Sequence, residues 1–219
     1  MGYNTFFTGQ VSVDPPLNAY EIEYLDRFSR VRHSHRATGL YVVDGADESD
    51  VVNDSEPQPG LPGYWCQWVP DPAGKTLAWD EEEKFYYAEL WMAYVIDTFL
   101  KPGATVAAEL AEPVPGRVYP EAFRHFTFDH VVNGVIDAEG DEEDDVWRIE
   151  VRDNAVHVVR LVTRPDYYTF DELPPQEWGT DVWDRFAAAT RHNYAYVIRD
   201  GAAQEIGPAA ESGFDPIEP

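Results

Sequence analysis

The chain of 219 residues contains one cysteine and six histidines, and few of them have the spacing that catalysis or metal binding requires. Cys66 would act as a nucleophile only beside a histidine. It shares one face of a predicted strand with Tyr64 and Trp68, and a thiol among aromatic side chains is usually a small buried hydrophobe. His33 and His35 lie on one side of an extended segment, but the neighbouring arginines would repel a metal cation. We therefore predict no catalytic residue, no metal site and no cofactor.

Clustered glutamates offer a second type of chemistry. Residues 81–83 are all glutamate, and together with Glu89 they stand near Trp79 and Trp91, the kind of side chain on which sugars stack. A pair of carboxylates at the right separation would hydrolyse a glycosidic bond. Acidic residues are equally common at the start of a helix. A small hydrolase that uses Cys66 or a carboxylate pair is therefore an alternative function.

One segment of the chain is basic and contains Arg30, Arg32 and Arg36. A guanidinium group binds carboxylates and phosphates through several parallel hydrogen bonds. These arginines are therefore expected either to pair with the protein's own acidic residues or to bind an anionic ligand.

A stripe of aromatic residues, Tyr87, Trp91 and Tyr94, follows one side of a predicted helix. Tyrosine and tryptophan are favoured at protein interfaces because each combines a large apolar surface with a polar group. The stripe and the three arginines are the predicted binding residues, and the predicted partner is another protein.

The net charge of −25 excludes several classes of ligand. Nucleic acids and anionic membranes are bound largely through lysine and arginine, so neither is an expected direct ligand. Residues 1–36 hold four acidic and four basic residues, whereas residues 137–145 hold seven acidic residues in nine. The dense run suggests a further alternative, an acidic mimic of nucleic acid that inhibits a DNA-binding protein. A lone cysteine, no secretory signal and no apolar run of membrane-spanning length favour the cytoplasm.

The hydrophobic pattern predicts three helices. Asn18 followed by Glu21 is a capping box, which starts a helix at about 18–31. A central helix over 81–100, with Asp80 as its cap, has apolar residues on two sides and is therefore expected to be buried on both. A third helix is expected over 181–192. The apolar stripe opposite the aromatic one contains Phe85, Ala88, Met92, Val95 and Phe99.

Alternating or apolar segments predict the strands. They include a first strand over 3–13, a hairpin of 64–69 with 76–79, a strand over 104–111, a meander and a last strand over 194–198. The meander joins strands 131–138, 146–151 and 155–162 through an acidic turn and Asp153-Asn154.

The mixed order of elements predicts an α+β fold, in which a twisted antiparallel sheet packs against two or three helices. We expect a single compact domain over residues 1–206. It would carry an acidic loop at 44–63 and a linker at 112–120, and residues 207–219 would form a frayed tail.

Aromatic and acidic residues also form a pattern that resembles an uncharacterised family from bacterial and phage genomes. The pattern is Gly63-Tyr64-Trp65-Cys66-Gln67-Trp68-Val69-Pro70, then Trp79-Asp80, Glu83-Lys84-Phe85-Tyr86 and Glu89-Leu90-Trp91. The resemblance covers about the first 160 residues and implies a phage association without implying an activity. We therefore predict a non-catalytic binding or regulatory protein.

Overall fold

A computed structural model describes residues 3–43 and 50–218 of the chain. The described residues form an α+β fold with ten strands, numbered along the chain as β1 Thr5–Asp14, β2 Ser34–Arg36, β3 Val51–Pro57, β4 Trp68–Pro70, β5 Thr76–Trp79, β6 Val131–Gly140, β7 Val146–Arg152, β8 Ala155–Thr163, β9 Arg191–Arg199 and β10 Ala202–Pro208. Eight of them form one antiparallel sheet with the order β10-β9-β8-β7-β6-β1-β5-β4, and β2 pairs with β3 in a second, small sheet. The predicted fold class is confirmed.

Four α-helices accompany the strands: α1 Ala19–Arg30, α2 Ala88–Val95, α3 Thr105–Ala111 and α4 Thr180–Ala189. Helix α2 continues into a π-helical turn, Ile96–Leu100. Helix α1 has the predicted capping box, in which the Asn18 side chain accepts the backbone N–H of Glu21 and Glu21 accepts the backbone N–H of Asn18. No helix in the described ranges combines the length and the apolar content needed to cross a bilayer.

Strands β1 and β6 pair along ten residues and form the centre of the large sheet. Phe7, Val11 and Val13 point into the core from β1, as the alternation predicts. Gly134 of β6 lies opposite Val11 with a φ of +151°, and a Cβ atom at this position would lie 2.7 Å from the backbone of Val11. Only glycine fits such a close approach of two strands.

The central helix α2 is covered on two sides, as predicted. The predicted apolar stripe is buried throughout and belongs to one continuous core with the inward side chains of the sheet. Helix α1 covers the other side through Phe28, whose ring centroid lies 6.0 Å from that of Trp91 and 5.3 Å from that of Phe99. Trp91 is fully buried as a result.

Several predicted boundaries are wrong. The central helix begins at Ala88 rather than near 81, because Glu81, Lys84 and Tyr87 have positive φ angles that no right-handed helix accommodates. Residues 105–111 form α3 rather than a strand, since backbone hydrogen bonds four residues apart join Ala108 to Ala104 and Glu112 to Ala108; Val106 is the buried residue of this helix. The segment 51–57 of the predicted acidic loop is strand β3; the part of that loop at 44–49 lies outside the described residues.

The C-terminal residues also differ from the frayed tail expected from Gly207. Strand β10 follows β9 in the large sheet, and Ala209, Phe214 and Ile217 pack against Val159 of β8 and its neighbours. Asn193 anchors this segment, because its side chain accepts the backbone N–H of Ile217 and donates to the carbonyl of the same residue. The tail therefore covers part of the sheet.

Candidate functional site

A cavity of about 760 Å³ opens beside the end of α1 and is the candidate functional site. One wall comes from the loop before β4, and the opposite wall comes from the irregular segment 80–87 between β5 and α2. Pockets of this size accommodate small organic ligands or side chains of a partner. Its aromatic and charged lining residues are Tyr64, Trp65, Tyr86, Tyr87, Arg30, Asp80, Glu82, Glu83 and Lys84.

Side chains of the β4–β5 hairpin hold the segment 80–87 in place through its backbone. Gln67 donates from Nε2 to the carbonyl of Glu83 at 3.3 Å, and the indole N–H of Trp79 lies 3.2 Å from both the Gln67 Oε1 atom and the carbonyl of Glu82. The indole N–H of Trp68 donates to the carbonyl of Ala88 at 2.9 Å, where α2 begins. These bonds replace the helical hydrogen bonds that the segment does not make.

Three residues of this wall adopt the left-handed backbone conformation: Glu81 at φ +67°, Lys84 at φ +66° and Tyr87 at φ +60°. Each costs about 1–2 kcal/mol relative to a right-handed conformation, because its Cβ approaches the following carbonyl oxygen. Such strain persists only where surrounding contacts impose it, and it is concentrated at binding and catalytic sites. The hairpin side chains supply those contacts here.

The aromatic lining is unusually accessible. Trp65 is 41% exposed, Tyr86 is 48% exposed and Tyr87 is 57% exposed, although most of the large aromatic side chains in the main core are buried. Large apolar surfaces that stay exposed side by side, with polar groups around them, are typical of places where another molecule binds. The cavity thus contains aromatic ring surfaces that remain accessible to a ligand after the chain has folded.

Three carboxylates also line the cavity, and Arg30 of the same lining acts electrostatically on one of them, Asp80. Asp80 accepts the backbone N–H of Glu82 at 3.0 Å, and burial raises the pKa of its carboxyl group above the ordinary value. Within the part of the chain that the structure describes, no ion pair joins Asp80, Glu82 or Glu83 to a basic side chain. Asp26 binds the guanidinium group of Arg30, which also lines the cavity, through two hydrogen bonds of 2.9 and 3.0 Å.

A buried indole lies behind the cavity wall. Trp91 is fully buried, and its Nε1 atom has no hydrogen-bond partner in the described structure. A Cβ atom on Gly63 would lie 3.7 Å from this Nε1 atom and 3.4 Å from the ring of Tyr87, so the indole N–H is next to two residues of the lining. An unpaired buried N–H costs about 1–3 kcal/mol, which a hydrogen-bond acceptor at this place would recover.

The predicted aromatic stripe is divided by the fold. Tyr87 is exposed at the rim of the cavity, whereas Trp91 is buried and Tyr94 is largely covered by α1, with its ring 6.1 Å from that of Phe28. Tyr87 alone of the three lines the cavity. The stripe is therefore not one continuous surface, because α1 packs over its C-terminal part.

The predicted arginine patch pairs with the protein's own acids, one of the two expectations. Besides the Arg30 pair, Arg36 binds Asp50 at 2.7 Å, and Arg32 forms an ion pair with Asp54. The guanidinium carbon of Arg32 also lies 4.4 Å from the centre of the Tyr64 ring. Of these arginines, only Arg30 reaches the lining of the cavity.

The cysteine and the histidines are placed unfavourably for catalysis. Cys66 is buried, and burial raises the pKa of its thiol to about 12, which leaves very little thiolate at neutral pH. His33 is buried as well; loss of hydration lowers the pKa of its imidazole to about 4, and its Nε2 atom binds the carbonyl of Phe28 at 3.0 Å. The described residues contain no group of three potential ligands close enough to hold a metal ion.

The acidic run at 137–145 forms the end of the β6–β7 hairpin, and several of its carboxylates are already bound. Asp137 pairs with Arg148 at 2.7 Å, Asp144 pairs with Arg164, and the Tyr3 hydroxyl donates to Asp145 at 2.5 Å. The first contact joins the two strands of the hairpin, and the other two join the hairpin to neighbouring segments. These carboxylates therefore stabilise the structure around the hairpin.

Sequence reasoning placed Trp79 beside the glutamates and gave Asp80 only a capping role, and it missed Trp65 and Gln67. All four lie in the pattern that resembles the bacterial and phage family, and the recurrence of tryptophan and acidic residues there was the available signal. No family model matches the chain, and neither a curated protein nor a solved structure matches it. The family resemblance therefore stays a prediction.

Proposed function

We propose that this protein is a non-catalytic binding protein and that its ligand occupies the cavity between the loop before β4 and segment 80–87. The observation that supports this most directly is the strained wall, in which three left-handed residues hold exposed aromatic rings and unpaired carboxylates at one opening. Backbone strain of this kind costs stability and is concentrated at binding and catalytic sites. A regulatory role through a bound partner, as predicted from the sequence, is compatible with this site.

Catalysis has less support than binding. Cys66 lies beneath the lining, with its thiol protonated at neutral pH because burial raises its pKa to about 12. His33 is buried against Phe28 and Trp91 and binds a backbone carbonyl through its Nε2 atom. The features of the cavity therefore suit recognition of a ligand better than nucleophilic attack on one.

A ligand panel tests the proposal by thermal shift. The panel contains amines, sugars, nucleosides, carboxylic acids and short peptides, and binding is read as a rise in Tm, because a ligand that binds only the folded state stabilises it. We expect at least one class to raise the Tm of the wild-type protein and to lose this effect in Trp65→Ala.

The matched control is Trp183→Ala, because Trp183 is 43% exposed and lies outside the cavity. The control should keep the ligand response even if its Tm without ligand falls. A panel without any response, or a response that Trp65→Ala retains in full, would overturn the proposed site.

A further inference from the structure

The charges of the cavity lining favour a cation. Asp80, Glu82 and Glu83 form no ion pair among the described residues. Arg30 attracts Asp80 electrostatically, but its guanidinium group is bound by Asp26. Lys84 is the remaining basic residue of the lining, so carboxylates exceed available cations. A half-buried carboxylate such as Asp80 is stabilised when a positive group replaces the water it has lost.

The aromatic rings favour the same kind of ligand. The face of a tyrosine or tryptophan ring attracts ammonium and guanidinium groups. The loop that lines the cavity already shows such a contact, since the Arg32 guanidinium lies 4.4 Å from the centre of the Tyr64 ring. Trp65, Tyr86 and Tyr87 present further exposed rings to the same opening.

The buried indole N–H of Trp91 requires a hydrogen-bond acceptor, which a cation does not provide. An N–H group donates a hydrogen bond, so a ligand that satisfies it must carry an acceptor such as a carbonyl oxygen. Gly63 of the lining lies beside the Nε1 atom, because a Cβ on Gly63 would be 3.7 Å from it and 3.4 Å from the exposed ring of Tyr87. An acceptor that enters from the cavity would approach the N–H past these two residues.

We propose that the cavity binds a basic peptide, whose lysine or arginine side chain lies against Asp80 and the exposed rings and whose backbone carbonyl accepts the Trp91 N–H. This inference rests on the proposed function, because it names the class of ligand for the same cavity. A peptide satisfies both requirements at once, whereas a simple amine supplies only the cation. The net charge of −25 attracts such a partner over a longer range and accelerates its association.

Calorimetric titration with four probes tests the inference. Two blocked tripeptides, acetyl-Gly-Lys-Gly-amide and acetyl-Gly-Arg-Gly-amide, carry both the cation and the carbonyls. A third, with norleucine in the middle, has the same backbone without the charge, and n-butylamine has the charge without the backbone. We expect a basic tripeptide to bind more tightly than both control probes, and its affinity to fall as salt is added.

Variants place the binding at the cavity. Asp80→Asn should weaken the binding of the basic peptide about 10-fold, and Trp65→Leu should weaken it about 3-fold. Lys84→Met should tighten it, because it removes a competing positive charge. The matched control is Asp215→Asn, which makes the same chemical change at an exposed residue outside the lining and should leave Kd unchanged. Circular dichroism confirms that each variant is folded.

The outcomes separate this inference from the proposed function. If the norleucine peptide binds as tightly as the basic tripeptides, the ligand does not need a cation. If n-butylamine binds as tightly as the basic tripeptides, the ligand does not need a peptide backbone. If no basic probe binds but another class in the thermal-shift panel does, the ligand class is wrong and the binding site stands. If nothing binds, both proposals fall. Unchanged affinity in both Asp80→Asn and Trp65→Leu would also overturn the inference.

Discussion

Glu21 and His130 form a buried ionisable pair that should dominate the response of this fold to a single substitution. Both side chains are at most 1% exposed, and the His130 Nε2 atom lies 3.2 Å from Glu21 Oε1. The His130 Nδ1 atom lies 2.6 Å from the carbonyl oxygen of Pro15, which accepts only a hydrogen bond. Nδ1 donates to this carbonyl, and Nε2 lies beside the Glu21 carboxylate with Thr127 Oγ1 3.1 Å away. The carbonyl and the carboxylate both favour the positively charged imidazolium.

The pKa values of both groups shift accordingly. Burial is the largest single effect and opposes the charged form of each. The hydrogen bond between them, their mutual attraction, the Pro15 carbonyl beside His130 and the Thr127 and Asn18 N–H groups on Glu21 together outweigh it. The pKa of His130 is thereby raised above 6.5, and that of Glu21 is lowered below 4.5. Each ion therefore holds the other in its charged state.

Glu21→Gln is the informative perturbation. Removing one member of a buried ion pair costs about 3–5 kcal/mol. Glutamine keeps the size of the side chain and can still accept one of the two backbone N–H groups, from Asn18 or Thr127, that Glu21 accepts at 2.7 Å each. We therefore expect the lower value, about 3 kcal/mol, which corresponds to a fall in Tm of roughly 6–12 °C for a chain of this length.

The pH dependence gives the decisive test. The raised pKa of His130 means that its stabilisation is complete below pH 6.5 and is lost as the pH rises through the folded-state pKa. The lowered pKa of Glu21 means that its contribution is complete above pH 4.5 and is lost as the pH falls through the folded-state value. The free energy difference between wild type and Glu21→Gln should thus be largest between pH 4.5 and 6.5.

Urea unfolding of both proteins across this pH range measures the difference. The pH dependence that His33 contributes is opposite to that of His130. Burial lowers the pKa of the His33 imidazole to about 4, so its contribution to stability is lost as the pH falls below 6.5. It is present in both proteins, so the difference curve removes it.

The control is Glu23→Gln, which breaks an exposed pair with Arg27 on the same helix and should change stability by about 0.5 kcal/mol or less. A Glu21→Gln variant as stable as this control, or a difference that does not vary with pH, would refute the reasoning.

Three further predictions concern the core and the cavity wall. A thiol reagent should label Cys66 only after unfolding, because the side chain is buried and its pKa is about 12; stoichiometric labelling of the native protein would contradict this. Lys84→Gly should raise the free energy of unfolding, measured in urea, by about 1 kcal/mol, because Lys84 has a φ of +66° that glycine adopts without strain. The control Lys101→Gly, at a φ of −70°, should not raise it, and equal effects of the two substitutions would argue against strain at Lys84. Gly134→Ala should lower the Tm and cost roughly 1–3 kcal/mol, because its Cβ would lie 2.7 Å from the backbone of β1; a Tm like that of wild type would show that β1 and β6 can separate without cost.

Local patterns predicted much of the fold. The alternation of β1, the capping box of α1 and the three strands of the β6–β8 meander all follow from interactions between residues two to four positions apart, and the structure confirms them. The apolar stripe of α2 was predictable for the same reason. Short-range periodicity reports which face of an element is buried.

The cavity was not predictable in this way. Its wall at 80–87 has acidic residues and an apolar spacing that favour a helix, and its left-handed residues are neither glycine nor asparagine. Gln67 holds that wall through a hydrogen bond to the carbonyl of Glu83, 16 positions further along the chain. Local helix propensity does not decide the structure where such tertiary contacts outweigh it. The spacing of the residues gives no indication of these contacts.

By itself, then, the sequence determined the periodic elements, the capping of α1 and the net charge of −25. Only the tertiary structure decided that α1 covers Trp91, that Glu21 meets His130 across 109 positions of the chain, and that aromatic rings and carboxylates converge on one opening. The physical reason is the range of the interactions. Helices and strands depend on neighbours in the chain, whereas burial, ion pairs and cavities depend on segments that meet only after the chain has folded.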